Sequence, residues 1–148
     1  MDVATVLSRI ATVVNGADLA GNTLGVNATH FMPSAPDVPA FYPFHWRGVY
    51  DRDYGGLAEM TMTWHLLLSR AEDENASEEA SALAGTGVET IYTAVHAARK
   101  TGTGGKYAGG VADDIVIRAV EGPRQFEFGP GGGGPAFWGI EFTIFGMG

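Results

Sequence analysis

The sequence predicts a single α+β domain, in which a mixed, largely antiparallel β-sheet packs against two or three α-helices. Segments typical of strands come in two runs separated by a helical stretch, instead of alternating regularly with helices. The chain has 148 residues, of which 45% are hydrophobic and 18% charged, and it has no cysteine. A chain of this length buries a core without disulfides, so we expect one domain over residues 1–148.

The first predicted element is an amphipathic helix, because apolar residues recur at helical spacing between Val3 and Val14. Asn15 and Gly16 follow and predict its end. From about 18 to 40, repeated glycine and proline break every regular pattern, so we expect a flexible loop. Loops longer than about 12–15 residues are usually functional or disordered, which makes this one a candidate contact surface.

The next two elements are predicted strands. Residues 41–50 are rich in aromatic side chains, although Pro43 favours an edge or bulged strand. Residues 57–69 alternate clearly, which predicts a strand with one face in the core and one wetter face. The core face is expected to carry Met60, Met62, Trp64, Leu66 and Leu68, and the wetter face Glu59, Thr61, Thr63, His65 and Ser69.

The middle of the chain predicts two consecutive helices. Asn75 and Glu78 have the spacing of a capping box, so a short helix is expected to begin there and end near Gly85. The same spacing recurs from Thr86, and apolar residues then repeat at helical intervals up to position 100. The second helix is therefore expected to be the longer one.

A glycine-rich connection at 101–110 precedes three predicted strands, over 111–120, 125–128 and 136–145. The segment 129–135 contains only glycine and proline, which cannot form a regular helix or strand. We expect both glycine-rich segments to be flexible.

The charge of the chain is negative and its basic residues are scattered. Nine Lys and Arg against 17 Asp and Glu give a formal charge of −8. Nucleic-acid surfaces need several basic side chains on one face, so we expect no nucleic-acid recognition. No apolar run approaches about 18 residues and the first residues lack the positive region of a signal peptide, so we expect neither a membrane span nor secretion.

Motifs for catalysis and cofactor binding are incomplete. The glycines at 102–106 lack the spacing of a phosphate loop, and Tyr107 stands where that loop needs Ser or Thr. A calcium-loop match that begins at Asp51 fails at its twelfth position, Met62. Four histidines lack the close spacing of paired metal ligands: His30, His45, His65 and His96. We therefore expect no enzyme activity, no cofactor and no metal.

Aromatic side chains exceed what a half-solvated sheet needs. Residues 41–50 and the last strand carry them on both faces. Contact between subunits explains this surplus, and a well-filled two-layer core explains it equally well. Under the first interpretation, the candidate subunit interface consists of Phe41, Tyr42 and Trp46.

The order of the segments along the chain is more specific for a protein family than any single motif. Val49-Tyr50-Asp51-Arg52-Asp53-Tyr54-Gly55-Gly56 precedes the predicted strand 57–69, an acidic turn and a helix ending in Leu83-Ala84-Gly85-Thr86-Gly87. Val88-Glu89-Thr90-Ile91-Tyr92-Thr93-Ala94-Val95 follows. This order, with the leading helix and the proline-bearing loop, resembles the tail terminator proteins of long-tailed, siphovirus-type bacteriophages over about residues 3–145.

The resemblance implies a structural virion protein. It implies a hexameric ring that caps the tail tube, stops its polymerisation and offers a surface to the head connector. The implied partners are further copies of the chain, the major tail tube protein and the head–tail connector protein. The implied location is the head-proximal end of the tail, after assembly in the host bacterial cytoplasm. The loops expected to contact tube or connector contain Arg52, Asp53, Tyr54, Gly131, Gly132 and Gly133.

Two alternatives stay open from the sequence. Another neck, connector or tail tube protein would share ring symmetry and differ in self-association. A small α+β ligand-binding domain or enzyme would use a pocket between sheet and helices, with His65 and Glu59 as its polar groups.

Overall fold

The computed structural model describes residues 1–19, 25–51, 56–128 and 134–148. Within these residues two helices pack against a five-stranded mixed sheet, which confirms the predicted α+β class. The helices are α1 (Val3–Leu19) and α2 (Ala76–Ala97). The strands are β1 (Asn27–Ala28), β2 (Ala40–Tyr50), β3 (Leu57–Arg70), β4 (Asp114–Glu127) and β5 (Ala136–Met147).

The strands lie in the order β1-β2-β3-β5-β4 across the sheet. β1 runs parallel to β2, and every other neighbouring pair is antiparallel. β4 therefore forms one edge of the sheet. On the other side, β1 pairs only with Ala40 and Phe41 among the residues that the structure describes, so that most of β2 is an edge as well.

The main core lies between the helices and one face of the sheet. The five β3 residues predicted to face the core are all buried, which confirms that prediction: Met60, Met62, Trp64, Leu66 and Leu68. Each large apolar side chain buried in this way contributes about 1.5–3 kcal/mol relative to an exposed one. The facing helix residues are Val6, Ile10 and Val14 from α1 and Ile91 and Val95 from α2.

The opposite face of the sheet carries a second, smaller cluster, formed by Tyr42, Leu67, Phe126, Phe128 and Phe137. The prediction of a wetter face on β3 is therefore wrong at His65, which is buried beside this cluster. It is also wrong at Ser69, whose buried hydroxyl donates to the carbonyl of Ala76 at 2.7 Å. Period-two alternation shows which residues share a face, but not whether other strands cover that face.

The predicted end of the first helix at Asn15 and Gly16 is wrong, since α1 continues to Leu19. Asn15 forms tertiary hydrogen bonds instead: its Nδ2 donates to the carbonyl of Ala28 at 2.8 Å, and its Oδ1 accepts from the Ala28 N–H at 2.9 Å. These bonds fix β1 beside α1. The segment predicted as a flexible loop at 18–40 thus contains a strand.

The two predicted middle helices are one continuous helix, α2. Gly85 lies inside it, where a glycine costs about 1 kcal/mol relative to alanine without breaking the helix. The predicted capping box is wrong as well: Asn75 is the N-cap residue, but it has a left-handed backbone (φ 61°) and its side chain forms no capping bond to the Glu78 region. Its backbone carbonyl accepts the first helical bond, from Glu79 N–H at 3.0 Å.

The strands predicted at 111–120 and 125–128 are one strand, β4, whose pairing with β5 is irregular between Glu121 and Arg124. Gly122 and Pro123 occupy this irregularity. A proline lacks the N–H that a ladder needs, and strands tolerate it at an edge or a bulge. The sequence signal for a break was therefore real, but it produced an irregularity and not an end.

The connection at 101–110 is anchored at its centre. It contains two short 3-10 turns, Thr103–Gly105 and Ala108–Gly110. Tyr107 between them is fully buried and donates its hydroxyl to the Val95 carbonyl at 2.7 Å. One aromatic side chain therefore ties this glycine-rich segment to α2.

Candidate functional site: the two edges of the sheet

We call residues 43–50 the β2 edge. No strand of the described residues pairs with it on the side away from β3. Four large apolar side chains on this edge are exposed: Phe44 by 55%, Trp46 by 41%, Val49 by 48% and Tyr50 by 67%. Unpaired backbone groups together with exposed apolar side chains are a template for pairing with another chain.

The predicted subunit-interface residues lie in two different environments. Phe41 is completely buried, and its ring stacks on Trp64 with centroids 4.7 Å apart. Tyr42 is only 2% exposed, and this burial raises the pKa of its hydroxyl to about 12. Trp46 is the one of the three that presents its side chain at the surface. Phe41 and Tyr42 therefore hold β2 on the domain, and Trp46 belongs to the exposed edge.

A bulge at Pro43 shapes the β2 edge and agrees with the bulged strand that this proline predicts. Phe44 is the extra residue in the bulge. Its ring stacks on His65 with centroids 4.5 Å apart and an interplanar angle of 16°. On the other side, the ring of Phe126 lies 4.2 Å from His65. His65 is thus held between one aromatic ring from β2 and one from β4.

The contact between Phe126 and His65 crosses β5 at Gly139. A Cβ at this position would clash with the carbonyl oxygen of Leu66 and would lie 3.2 Å from a ring carbon of Phe126. The missing side chain therefore leaves room for the Phe126 ring to reach β3 over β5.

Ionic contacts complete this cluster. Nε2 of His65 lies 3.3 Å from Oε2 of Glu141, and the same oxygen accepts a 2.7 Å bond from Arg124. Burial lowers the pKa of His65, an effect that the bond to Glu141 opposes and the charge of Arg124 reinforces. The lowered pKa favours the neutral imidazole, which stacks between two rings without the cost of burying a charge.

We call residues 118–127 the β4 edge, and its side chains differ from those of the β2 edge. Eight of the residues before Phe126 are exposed in an unbroken run, 118–125. The charged ones are Arg118, Glu121, Arg124 and Glu127. The Arg118 guanidinium lies 3.7 Å from the Phe145 ring centroid, and that of Arg124 lies 4.4 Å from the centroid of Phe126. Charges and an internal proline are features by which edge strands avoid unspecific pairing.

The first part of β4 is fixed to α2 and to the turn that follows this helix. Arg99 donates to both carboxylate oxygens of Asp114, at 2.9 and 2.7 Å, and this pairing lowers the pKa of Asp114. Nε2 of His96 accepts the N–H of Ile117 at 3.1 Å. Burial and the nearby Arg99 lower the pKa of His96, which favours the neutral ring that this acceptor role requires. Only the second part of the strand is left as an exposed edge.

The histidines do not converge on a reactive centre. His30 contacts Phe31 on the loop after β1, His45 is exposed on β2, and His96 lies on α2. In the part of the chain that the structure describes, no three His, Asp or Glu side chains are close enough to hold a metal ion. His65 and Glu59, the polar pair of the alternative pocket, are six residues apart on β3, which corresponds to about 20 Å.

The loop residues implied by the resemblance lie outside the described residues: Arg52, Asp53, Tyr54, Gly131, Gly132 and Gly133. Among the described helices, none combines the length and the apolar character needed to cross a bilayer.

Sequence reasoning missed the β4 edge and the surroundings of His65. Alternation of charge along 118–127 is a usable signal for an exposed edge, but only once these residues are recognised as a single strand. The contacts of His65 come from β2, β4 and β5, and no local pattern encodes them.

Comparison with family models and with curated proteins finds no match for this chain.

Proposed function

We propose that this chain is the subunit of a hexameric ring that terminates a phage tail: the ring caps the tail tube, stops its polymerisation and joins the head connector. One observation carries the proposal, namely that the sheet ends in two unlike edges, one apolar and aromatic, the other charged. The order of elements that resembles tail terminators supplies the functional class.

Unlike edges favour a ring over a two-fold dimer. In a two-fold dimer the same surface patch occurs on both sides of the contact. When two different patches of one chain meet, each copy keeps one free patch, and the assembly grows until it closes as a ring or continues as a filament. A closed ring suits a protein that ends a tube, because it leaves no free edge for further growth.

A ring of six copies also explains how weak contacts can hold a tube end. Every copy repeats the same contact, so that the second and later contacts form at a high effective concentration. The tube protein and the connector would then occupy the two opposite sides of the ring. In this proposal the finished protein lies in the virion, at the head-proximal end of the tail.

The direct test is tube growth. Tail tube protein of the same phage is polymerised alone and with this protein, and tube lengths are measured by electron microscopy. The proposal predicts shorter tubes, each with a ring at one end, at ratios near six copies per tube end. Tube growth that is unchanged at saturating protein would contradict it. Open-ended polymers of this chain alone would favour the tail tube alternative instead.

A ligand-binding function is the second candidate, and one feature favours it. An open cavity of about 380 Å³ is lined by the aromatic residues Phe128 and Phe137 and by the charged residues Asp37 and Arg70, among others. Binding to the folded state alone raises the melting temperature by mass action. A small molecule that raises the melting temperature, and loses this effect in a Phe137→Ala variant that still folds, would support this candidate.

A further inference from the structure

We infer that the β2 edge of one copy pairs antiparallel with the β4 edge of the next copy, with Arg47 facing Glu121. This inference rests on the proposed ring and names the partner of each edge. Both side chains are exposed, and neither forms an ion pair within the described residues. They carry opposite charges at opposite sides of one sheet.

Arg47 and Glu121 also lie on the same face of the sheet. Arg47 pairs with Thr61 of β3, and Glu121 is connected through Glu141 to His65 of β3. Thr61 and His65 are an even number of residues apart, so they share a face. This is the face away from the helices, and the two side chains can therefore meet when two sheets join edge to edge.

The other charged groups on this face of the β4 edge are already engaged. Arg124 binds Glu141 at 2.7 Å, and Arg118 lies over the Phe145 ring. Glu121 is therefore the carboxylate with which Arg47 of a neighbouring copy can pair near the middle of the edge. The contact is exposed at its rim, so we expect it to set register and partner more than total affinity.

The backbone of the β2 edge has the alternation that this pairing needs. The carbonyl of Phe41 accepts a bond from the segment after β1, so the backbone groups of the next residue, Tyr42, point toward His65 of β3. Backbone N–H and C=O groups of β3 point toward β2 at every second residue, and Thr61 is one of these residues. The backbone groups of its partner Arg47 therefore point toward β3. The residue after Arg47 therefore presents its N–H and C=O outward.

The β4 edge has the matching alternation. The backbone N–H and C=O of His65 point toward β2. The backbone groups of Glu141, its partner on β5, therefore point away from His65, toward Glu121 of β4. Val120 then presents its N–H and C=O outward. In the inferred register Gly48 of one copy stands opposite Val120 of the next, and these two residues exchange backbone hydrogen bonds.

The same register covers exposed apolar side chains. With Arg47 opposite Glu121, Val49 stands opposite Ala119, and Trp46 stands beside Gly122. Val49 is 48% exposed and Trp46 41% exposed in a single copy. Gly122 has no side chain of its own, and a Cβ there would lie against Gly139 and Ile140 of the same copy, so the indole would meet backbone at this position.

The stagger between the two charged residues suits a closed ring of sheets. Across the sheet, Arg47 is level with Thr61 of β3, and Glu121 is level with His65 of β3. His65 is four residues further along β3 than Thr61. Four strands, β2, β3, β5 and β4, separate the two edges of one copy. This is a stagger of about one residue per strand, the ratio found in eight-stranded barrels of shear 8.

The test is a pair of charge reversals, Arg47→Glu and Glu121→Arg, measured by light scattering over a concentration series. Each single variant places two like charges opposite each other at every contact, and we expect at least about a tenfold rise in the concentration needed for half assembly. Glu74→Arg is the matched control, since it reverses an exposed charge in the turn before α2. It should assemble like the wild type.

Mixing the two single variants gives the sharper result. In a ring where the copies alternate, a carboxylate at position 47 always faces a guanidinium at position 121, and the wild-type pair forms at the other contacts. We therefore expect an equimolar mixture to assemble near the wild-type concentration, into rings with an even number of copies. Circular dichroism of each variant checks that the fold is intact.

The outcomes separate the two proposals. If the wild type forms rings and both reversals assemble normally, or if the mixture fails to recover assembly, the inferred edge pairing is wrong while the ring proposal stands. If the wild type forms no ring, alone or on tube ends, the proposed function itself is wrong.

Discussion

The two edges of the sheet both carry unpaired backbone groups, but they differ in how far these groups are protected from pairing with another chain. On the β4 edge, exposed positions carry charges, a proline interrupts the ladder, and two arginines lie over aromatic rings. Among the described residues, β1 covers only the first two residues of β2, Ala40 and Phe41, and the β2 edge that follows exposes large apolar side chains. Edge strands without protection pair with other chains. In the proposed ring, this contrast leaves the β2 edge open for a partner and lets the β4 edge accept only a matching one.

Within β2 itself a second contrast separates folding from assembly. Phe41 and Tyr42 are buried on opposite faces of the sheet, whereas Phe44 and most residues after it are exposed. The change comes at the bulge, where one extra residue re-aims the strand. One strand can therefore anchor the domain at one end and offer a contact surface at the other.

The largest expected effect separates these two halves of β2. Phe41→Ala removes a fully buried ring stacked on Trp64 and should lower the free energy of unfolding by about 3–5 kcal/mol, measured by urea denaturation. Phe44→Ala, at a position 55% exposed, should cost less than about 1.5 kcal/mol, mostly the ring contact with His65. Equal costs for the two variants would refute the division of β2 into an anchored and a free half.

The next effect concerns assembly. Trp46→Asp places a charge in the centre of the β2 edge and should raise the concentration for half assembly by about tenfold or more, with little change in melting temperature. The control is Tyr92→Asp, since Tyr92 on α2 is exposed to a similar extent and lies on neither edge. If both variants weaken assembly equally, the β2 edge is not the contact.

A matched pair of glycine substitutions tests the connection between the edges. Gly139→Ala places a Cβ against the Leu66 carbonyl and the Phe126 ring and should destabilise the fold by about 1–3 kcal/mol. Gly85→Ala, where a Cβ meets nothing within 4 Å, should stabilise it by about 0.5–1 kcal/mol. Thermal unfolding of both variants gives the comparison, and a loss of the same size at both positions would contradict it.

The smallest effect is a pH dependence from His65. Burial lowers its pKa in the fold below the unfolded value of about 6.5, so the unfolded chain takes up a proton first as the pH falls. Stability is therefore fully present above about pH 6.5 and decreases below it. The pKa of His96 is lowered as well, so His96 also contributes stability that is lost as the pH falls. The slope of unfolding free energy against pH should therefore become smaller, but not vanish, in His65→Gln. An unchanged slope in this variant would show that His65 contributes nothing.

The sequence predicted the fold class and the buried face of β3 because both depend on periodicity, which is local. The sequence did not predict correctly where several helices and strands end. Gly85 and the residues around Pro123 signal breaks, but packing against the sheet keeps α2 continuous, and pairing with β5 keeps β4 continuous. Local propensities are worth about 1 kcal/mol, less than the tertiary contacts of a long element.

The candidate site was predictable only in part. Trp46 follows from an aromatic segment with a proline, which indicates an edge. Phe41 and Tyr42 belong to the same segment, and their burial depends on which residues β1 and the second cluster cover. The pairing partner of Arg47 could not be read from the sequence, because Glu121 becomes its counterpart only through the order of strands across the sheet.

The central claim is that the two unlike edges meet head to tail and close a ring, and the mass in solution tests it most directly. Light scattering across a concentration series should show one discrete species of six copies of the 15.6 kDa chain, free or on tube ends, with no larger species as concentration rises. A monomer at every concentration that also ignores tube protein, or a polymer whose mass keeps growing, would contradict the account.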